Sequence, residues 1–380
     1  MAAMVETAEN ARNGYTALAD RAARIYAPAV HGLALAAMAG WWLATGDLRL
    51  ALNIAIAVLI IPCPCALGLA VPAVSTAAIS RLFRLGYLVR HGTALERLAE
   101  VSHVLCDKTG TLTLPTVEVP RSLSERDRGI ARALAEQSHH PLSRALVMAL
   151  GDTPAAQLDE VEEVAGAGVT GLYDRTVVRL GRGPWVGAGQ PGLCLAVGDA
   201  PAVPLEVPEA LRPGVEPALA ALDLPCEIVT GDTEGPARRL AARLSLPVTF
   251  DARPEDKLRR LSTLSEAGER VLMVGDGLND TAVLAAAHAS LAPATALEAS
   301  RNAADLVVLK ESFADLPLVI RVARATRALS QQNFAIAAVY NAIAIPVALA
   351  GYATPLVAAL AMSASSLTVL LNAQRMWWVE

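Results

Sequence analysis

The sequence predicts a multidomain membrane protein: four transmembrane helices in two hairpins, joined by a cytoplasmic α/β domain that an inserted α+β domain interrupts. Three observations predict it. The 380 residues are 54% hydrophobic and only 18% charged, against about 25% charged in an average soluble domain. The charges are partitioned: of 69, 10 lie in residues 1–80 and 328–380, and 59 in 81–327. The polar middle holds three short apolar runs, each ending on an acidic, glycine-bearing loop. The net charge of −5 gives no basic footprint for nucleic acid.

A helix needs about 20 apolar residues to cross a bilayer. No Asp, Glu, Lys or Arg occurs in 25–46, 50–80 or 328–374. Spans are expected near 26–45 and 50–80. The last tract divides at Gly351–Pro355 into spans near 334–350 and 355–372. Glu6, Glu9 and Asp20 precede the first apolar run, which argues against a signal peptide. Arg81, Arg84 and Arg90 follow the second span, and Arg321, Arg324 and Arg327 precede the third. By the positive-inside rule, the large loop and both termini are expected to be cytoplasmic in a multi-pass membrane protein. Five cysteines with no pairable framework fit a reducing compartment.

Pro62-Cys63-Pro64-Cys65 interrupts the second span. Two prolines remove amide donors and unwind the helix, which a bilayer tolerates only where the break faces protein or a cavity. Two thiols at such a break form a soft site suited to Cu(I). Asn333, Tyr340, Asn341, Met362, Ser365 and Ser366 give the last two spans polar or soft members, and Met362 and Ser366 share a helix face. No Asp, Glu or His occurs in 328–374, and a divalent site usually recruits one of these. That favours Cu(I), or the chemically similar Ag(I), as cargo.

In the middle, Val101–Cys106 reads as a buried strand that delivers Asp107 to its C-terminal end, where open α/β sheets bind ligands. Two further strand-to-loop units end at Thr230-Gly231-Asp232 and at Gly275-Asp276-Gly-Leu-Asn279-Asp280, with Lys257 between them. Strands alternating with helices indicate a parallel sheet. Asp107 is a candidate nucleophile, since carboxylates form aspartyl-phosphates. Thr230, Gly231 and Lys257 are suited to hold a phosphoryl group, and Asp276 and Asp280 to hold Mg²⁺. The chain has 29 Arg but only three Lys, and two of those, Lys108 and Lys257, fall in this site. Residues 114–226, richer in Gly and Pro, read as the insert. There Ser138-His-His140-Pro and Gly166-Ala-Gly168 offer a ring for adenine and close backbone approach.

Taken together, these residues resemble the heavy-metal (CPx-class) P-type ATPases. The motifs DKTGTLT, TGD, PxxK and GDGxND occur in order. CPC before them, with YN and MxxSS after them, is similar to the Cu(I)-exporting subclass. The stretches His288–Pro293 and Ser363–Ser366 look closest to copper exporters that serve haem-copper oxidase assembly. The resemblance implies a haloacid-dehalogenase-like (Rossmannoid) phosphorylation domain at 100–117 and 226–312, with a nucleotide-binding domain at 118–225. It places the membrane hairpins at 1–99 and 313–380. It implies that ATP phosphorylates Asp107, with Lys108, Thr109, Thr230, Gly231, Asp232, Lys257, Asn279 and Asp280 around it. Asp107, Thr109 and Asp276 would hold Mg²⁺. Glu136, His140, Gly166 and Gly168 would bind the nucleotide, although Glu136 stands four residues before His140 where the family has five. Cys63, Cys65, Tyr340, Asn341, Met362 and Ser366 would line the copper path. No Thr-Gly-Glu tripeptide occurs, so the resemblance covers the C-terminal half of a longer pump, and Met1–Ala23 looks like the segment after an actuator domain. Implied partners are the remaining N-terminal half, a copper-delivering chaperone, a periplasmic copper acceptor and the lipid bilayer. Two other readings stand beside the exporter: a membrane-anchored phosphatase of the same fold, and a copper-binding membrane module that does not cycle. The phosphatases carry a second Asp where this chain has Thr109.

Overall fold

A computed structural model describes residues 28–380 except 63–64, 139, 165, 190–191, 277–280 and 297. Cys63, Asn279, Asp280 and the segment 1–23 lie outside the described residues. So does the Cys65 side chain, although its backbone opens a helix.

The first helix, α1, covers 28–45. Asp47 caps α2 (Leu48–Ile60) by accepting the Arg49 and Leu50 N–H groups at 2.9 and 3.1 Å. After the Pro-Cys-Pro break, α3 runs from Cys65 to Arg84. The tract expected as one span at 50–80 is therefore two helices. The third expected span, 334–350, is only the far part of α13 (Leu316–Leu349). Its 34 residues reach about 51 Å, well beyond the roughly 30 Å of a hydrocarbon core. α14 (Pro355–Gln374) begins with Thr354 capping and Pro355 in the first turn. Among the described residues, α13 and the helix running from Pro355 to Trp378 are each long and apolar enough to cross a membrane. α2 is a short apolar helix. Leu43, Ile343, Leu360 and Leu371 are exposed, as lipid-facing residues of such helices must be. The inner seam packs Ile54, Ala57 and Val58 of α2, and Ile61 just after it, against Ala348 and Ala358, with Trp41 and Tyr340 at its edge. Trp41 Nε1 donates to the Leu349 carbonyl at 2.9 Å.

The larger sheet contains β1 (Tyr87–Val89), β2 (His103–Asp107), β10 (Cys226–Val229), β11 (Val248–Thr249), β12 (Val271–Val274), β13 (Ala289–Pro293) and β14 (Leu306–Val308). Their order is β1-β14-β13-β12-β2-β10-β11, parallel except for β1 at one edge. The inner strands are buried residue after residue, the pattern of a sheet covered on both faces. Leu105, Val229, Val271 and Met273 form its core with Leu261, Leu264, Val283 and Leu284 from the covering helices. Those helices are α10 (Pro254–Glu266) and α11 (Thr281–Ala286). The other helices of this part are α4 (Ala94–Ala99), α8 (Val215–Ala220), α9 (Glu234–Leu244) and α12 (Glu298–Ala303).

The insert is a separate compact unit, Leu112–Arg212. Its boundaries differ from the expected 118–225 because a short antiparallel pair, β3 (Thr113–Pro115) with β9 (Glu209–Leu211), closes it. Residues 213–225 group with the sheet instead: Gly214 adopts φ +77°, and a Cβ there would lie 2.6 Å from the Ala314 nitrogen. Inside the unit, β4 (Asp159–Val164), β5 (Gly168–Tyr173), β6 (Thr176–Arg182), β7 (Leu193–Val197) and β8 (Val203–Leu205) form an antiparallel meander. α5 (Glu125–Glu136) and α6 (Pro141–Leu150) supply Ile130, Leu134 and Leu146 to its core, and α7 (Gly183–Val186) follows β6.

Candidate functional site: a strand-end carboxylate cluster and a separate pocket

β2 is flanked by β10 and β12, with Val229 paired to Asp107 and Val274 to Cys106. The residues just beyond each strand therefore converge: Asp107, Thr230 and Asp276. This is the switch point of the sheet, where β2 is followed on its two sides by strands far apart in sequence. Asp107, Lys108, Thr230 and Lys257 are all buried.

Lys257 reaches Asp107 from α10. Pro254 occupies the first turn, and the Arg253 N–H donates to Asp256 Oδ2 at 3.1 Å, which fixes the helix start. Lys257 Nζ then sits 2.6 Å from Asp107 Oδ1. Lys108, next along the chain, turns instead to Asp232 and pairs with its Oδ2. The Thr230–Asp232 loop is held by its own backbone. Thr230 N–H donates to Thr249 O at 2.9 Å, Ala252 N–H to Thr230 O at 2.9 Å, and Asp251 N–H to Asp232 O at 2.8 Å. The Asp232 N–H donates to Thr230 Oγ1 at 3.2 Å. A Cβ on Gly231 would make only ordinary contact, 3.4 Å from Ala252 O. Thr109 is exposed.

Gly110 is where the geometry is tightest. It adopts φ +72°, and a Cβ there would lie 2.0 Å from Asp276 Oδ2. Only glycine allows the Asp276 carboxylate to approach the loop this closely. Asp107, Asp232 and Asp276 against Lys108 and Lys257 leave one net negative charge. Carboxylate oxygens are what Mg²⁺ prefers, usually together with phosphate oxygens, so Asp107 and Asp276 are a fitting donor set.

One brace escapes sequence reasoning. Glu227, at the start of β10, accepts from Arg260 Nε and Nη2 at 2.9 and 2.8 Å, and this pairing raises the Arg260 pKa. Arg260 lies three residues after Lys257, so the bidentate pair fixes the helix that carries the lysine. A Glu inside a buried strand was the available signal. Behind the site, burial pushes the Cys106 thiol well above its ordinary pKa and Cys226 up to about 11.

Within the insert, a cavity of about 600 Å³ is lined by Ser138, His140, Glu163, Gly166, Gly168 and Arg182 among others. His140 caps α6: its Nδ1 accepts the Leu142 N–H at 3.2 Å. Gly166 has open space where a Cβ would be, so its backbone is free to meet a ligand. Gly168 is required for a different reason, since a Cβ there would lie 2.3 Å from Leu180 O on the neighbouring strand. Glu136 does not line this cavity. It is the last residue of α5 and pairs with Arg132, one turn earlier, at 2.8 Å.

In the membrane helices, Tyr340 and Asn341 lie on α13 and Met362 and Ser366 on α14. Tyr340 packs against the cluster containing Ile60 and Ile61, directly before the Cys-Pro-Cys break. Among the described residues, Tyr340 Oη, Asn341 Oδ1 and Ser365 Oγ are buried with no hydrogen-bond partner. Buried polar atoms without partners are uncommon and call for an explanation. Among the described residues, no group of three or more His, Cys, Asp or Glu side chains is placed to hold a metal ion.

A haloacid dehalogenase-like hydrolase family model matches residues 101–288. The chain is 42% identical to the nitrogen fixation protein FixI of Rhizobium meliloti (strain 1021), over 98% of this chain and 51% of that protein. It is 33% identical to a copper-exporting P-type ATPase of Mycobacterium tuberculosis (strain ATCC 25618 / H37Rv), over 99% of this chain and 53% of that protein. The chain belongs to the heavy-metal, CPx-type P-type ATPases. It is also similar to the crystal structure of a zinc-transporting PIB-type ATPase in the E2.Pi state, with a TM-score of 0.63 and 26% identity, covering 98% of this chain and 66% of that one. As a CPx-type P-type ATPase chain, it spans about half the length of the curated relatives it matches. Its sheet is the haloacid-dehalogenase-like phosphorylation domain of that family, and Leu112–Arg212 is the nucleotide-binding insert.

Proposed function

We propose that this chain supplies the phosphorylation, nucleotide-binding and Cys-Pro-Cys parts of an ATP-driven exporter of Cu(I), with Ag(I) as a chemically equivalent cargo. The observation that carries the proposal is the buried Lys257–Asp107 contact at 2.6 Å, at the C-terminal end of the central strand and beside Asp276. In this reading an Asp107 oxygen attacks the γ-phosphorus of ATP. The bond to the β,γ-bridging oxygen breaks, and ADP leaves. Lys257 and Thr230 meet the phosphoryl oxygens, and Lys108, paired with Asp232, holds the Thr230–Asp232 loop in register. Asp107 and Asp276 would hold Mg²⁺, which when bound supplies positive charge to the transferring group. Thr109 lacks a carboxyl to act as general acid, which disfavours the phosphatase reading and favours a phosphoenzyme that persists.

Cys63 and Cys65 would carry the metal between them, and the partnerless oxygens of Tyr340, Asn341 and Ser365 would lie along its path, with Met362 and Ser366. Two thiolates neutralise a monovalent soft ion, and the uncharged stretch 328–374 offers nothing to a second charge. In the cell the proposal places the chain in the inner membrane with its large loop cytoplasmic. It receives copper from a chaperone there and yields it to a periplasmic acceptor. The test is labelling with γ-phosphate-labelled ATP. An acid-stable, hydroxylamine-sensitive adduct is expected, lost in Asp107→Asn and dependent on Cu(I) or Ag(I). Labelling that survives Asp107→Asn refutes the nucleophile, and labelling that responds to Zn²⁺ alone refutes the cargo.

A further inference from the structure

We infer that Glu163, not Glu136, selects the base of the bound nucleotide, by accepting a hydrogen bond from the exocyclic amine of adenine. The inference rests on the reading that this pocket binds ATP. Glu163 lies on β4 and lines the 600 Å³ cavity of the insert. Its Oε1 accepts from Ser138 Oγ at 2.6 Å, and the same Ser138 Oγ accepts the His140 N–H at 3.1 Å. Ser138 is buried, so this linkage ties the Glu163 carboxylate to the backbone of His140, and both residues line the cavity. Glu136, the alternative, is engaged by Arg132 at 2.8 Å outside the cavity.

The two groups offer complementary chemistry. His140 Nδ1 already accepts the Leu142 N–H at 3.2 Å, so in the neutral ring the proton resides on Nε2, which is a donor. Glu163 keeps Oε2 as an acceptor, since Ser138 occupies only Oε1. The cavity lining thus offers one donor and one acceptor. A 6-aminopurine matches it: its amine donates to Glu163 Oε2, and a neighbouring ring nitrogen accepts from His140 Nε2–H. A 6-oxopurine puts a carbonyl oxygen where the amine would be, and a carboxylate repels it. A site built to bond a polar substituent discriminates strongly against the analogue that lacks it, because its own polar group is left unpaired.

The experiment measures equilibrium binding of ATP and of inosine triphosphate, which replaces the amine by an oxygen, to the full chain in detergent. The unmodified chain is expected to prefer ATP by tenfold or more. Glu163→Gln keeps the Ser138 bond yet offers an amide, and Glu163→Ala removes the acceptor. Both should weaken ATP binding about tenfold and bring the ATP-to-inosine ratio near one. Glu136→Gln should leave both affinities unchanged. A wild-type ratio in both Glu163 variants overturns the inference, as does a ratio that collapses in Glu136→Gln. An unmodified chain that binds neither nucleotide overturns the ATP reading as well, whereas one that binds ATP with selectivity indifferent to Glu163 overturns only this inference.

Discussion

Gly110→Ala adds one methyl group at the most crowded point of the phosphorylation site. Its Cβ would lie 2.0 Å from Asp276 Oδ2 and 2.8 Å from Asp276 Cγ, whereas ordinary contact starts at 3.4 Å. The carboxylate must retreat by about 1.4 Å, or the loop must leave its φ of +72°, a region that costs a non-glycine residue about 1–2 kcal/mol. A displacement of about 1 Å in reacting geometry lowers rates roughly 100-fold, equivalent to about 2.7 kcal/mol of barrier. The assay is the initial rate of phosphoenzyme formation from labelled ATP as a function of Mg²⁺. The variant is expected to lose about 100-fold in rate and to need more Mg²⁺ for half-saturation, while ATP binding stays unchanged because its pocket lies in the separate Leu112–Arg212 unit. A variant with wild-type rate and wild-type Mg²⁺ half-saturation would show that Asp276 need not sit against Gly110, and the reasoning would fail.

Three further outcomes follow from other contacts. Asn333 is buried and donates to the Ala70 carbonyl at 2.9 Å while accepting from Asn372 Nδ2 at 2.9 Å. Asn333→Leu should therefore lower stability in detergent by about 1–2 kcal/mol, read from thermal unfolding; an unchanged midpoint would contradict a structural role for this chain of amides. Cys106 and Cys226, held neutral by burial, should resist iodoacetamide at pH 7.5 in the folded protein and react on denaturation, as mapped by mass spectrometry. Burial, then Arg270, lowers the His288 pKa in the folded state, so the unfolded chain binds the proton first and stability falls as pH drops below about 6.5. His288→Gln should flatten that decline between pH 7 and 5.5, and an identical slope would remove His288 as its cause.

Legibility in the sequence tracks how local each cause is. Asp107, Thr230 and Asp276 were readable because each follows a short, mainly apolar run, and a buried parallel strand has to end somewhere its polar successor can be used. Lys257 stood out through the rarity of lysine. Of the Glu227–Arg260 brace only the Glu within a strand was legible; its partner was not, because the two residues stand 33 apart on different elements. Glu163 was hidden among the acidic residues of β4, where only the pairing with Ser138 distinguishes it. The insert boundaries shifted because three-residue strands carry too little periodicity to detect. The N-terminal extension of α13 has another cause: charge marks where an apolar segment ends, but nothing between Pro317 and Pro346 breaks the helix itself.

That extension bears on how the two halves of the mechanism are coupled. Two residues separate the end of α3 from β1, and seven separate β14 from α13, so both helices join the sheet at one edge. The edge is laced: β1 pairs with β14, Leu309 N–H donates to Gly86 O at 2.8 Å, and Arg90 N–H donates to Asp305 O at 2.8 Å. Lys310, the third lysine, lies over the Tyr87 ring and pairs with Asp315 at the entry to α13. Deeper along the same two helices, Asn333 of α13 is bonded to the backbone of α3. α3 and α13 are therefore tied at the sheet and again at Asn333, so a tilt of the sheet edge would carry them as a pair. Residues 61–64 join them to α2, and the two prolines of that stretch have no amide hydrogen with which to continue a helix. Under the proposed function Cys63 and Cys65 fall at this junction, so a movement of α3 and α13 driven by phosphorylation would reach the proposed metal ligands.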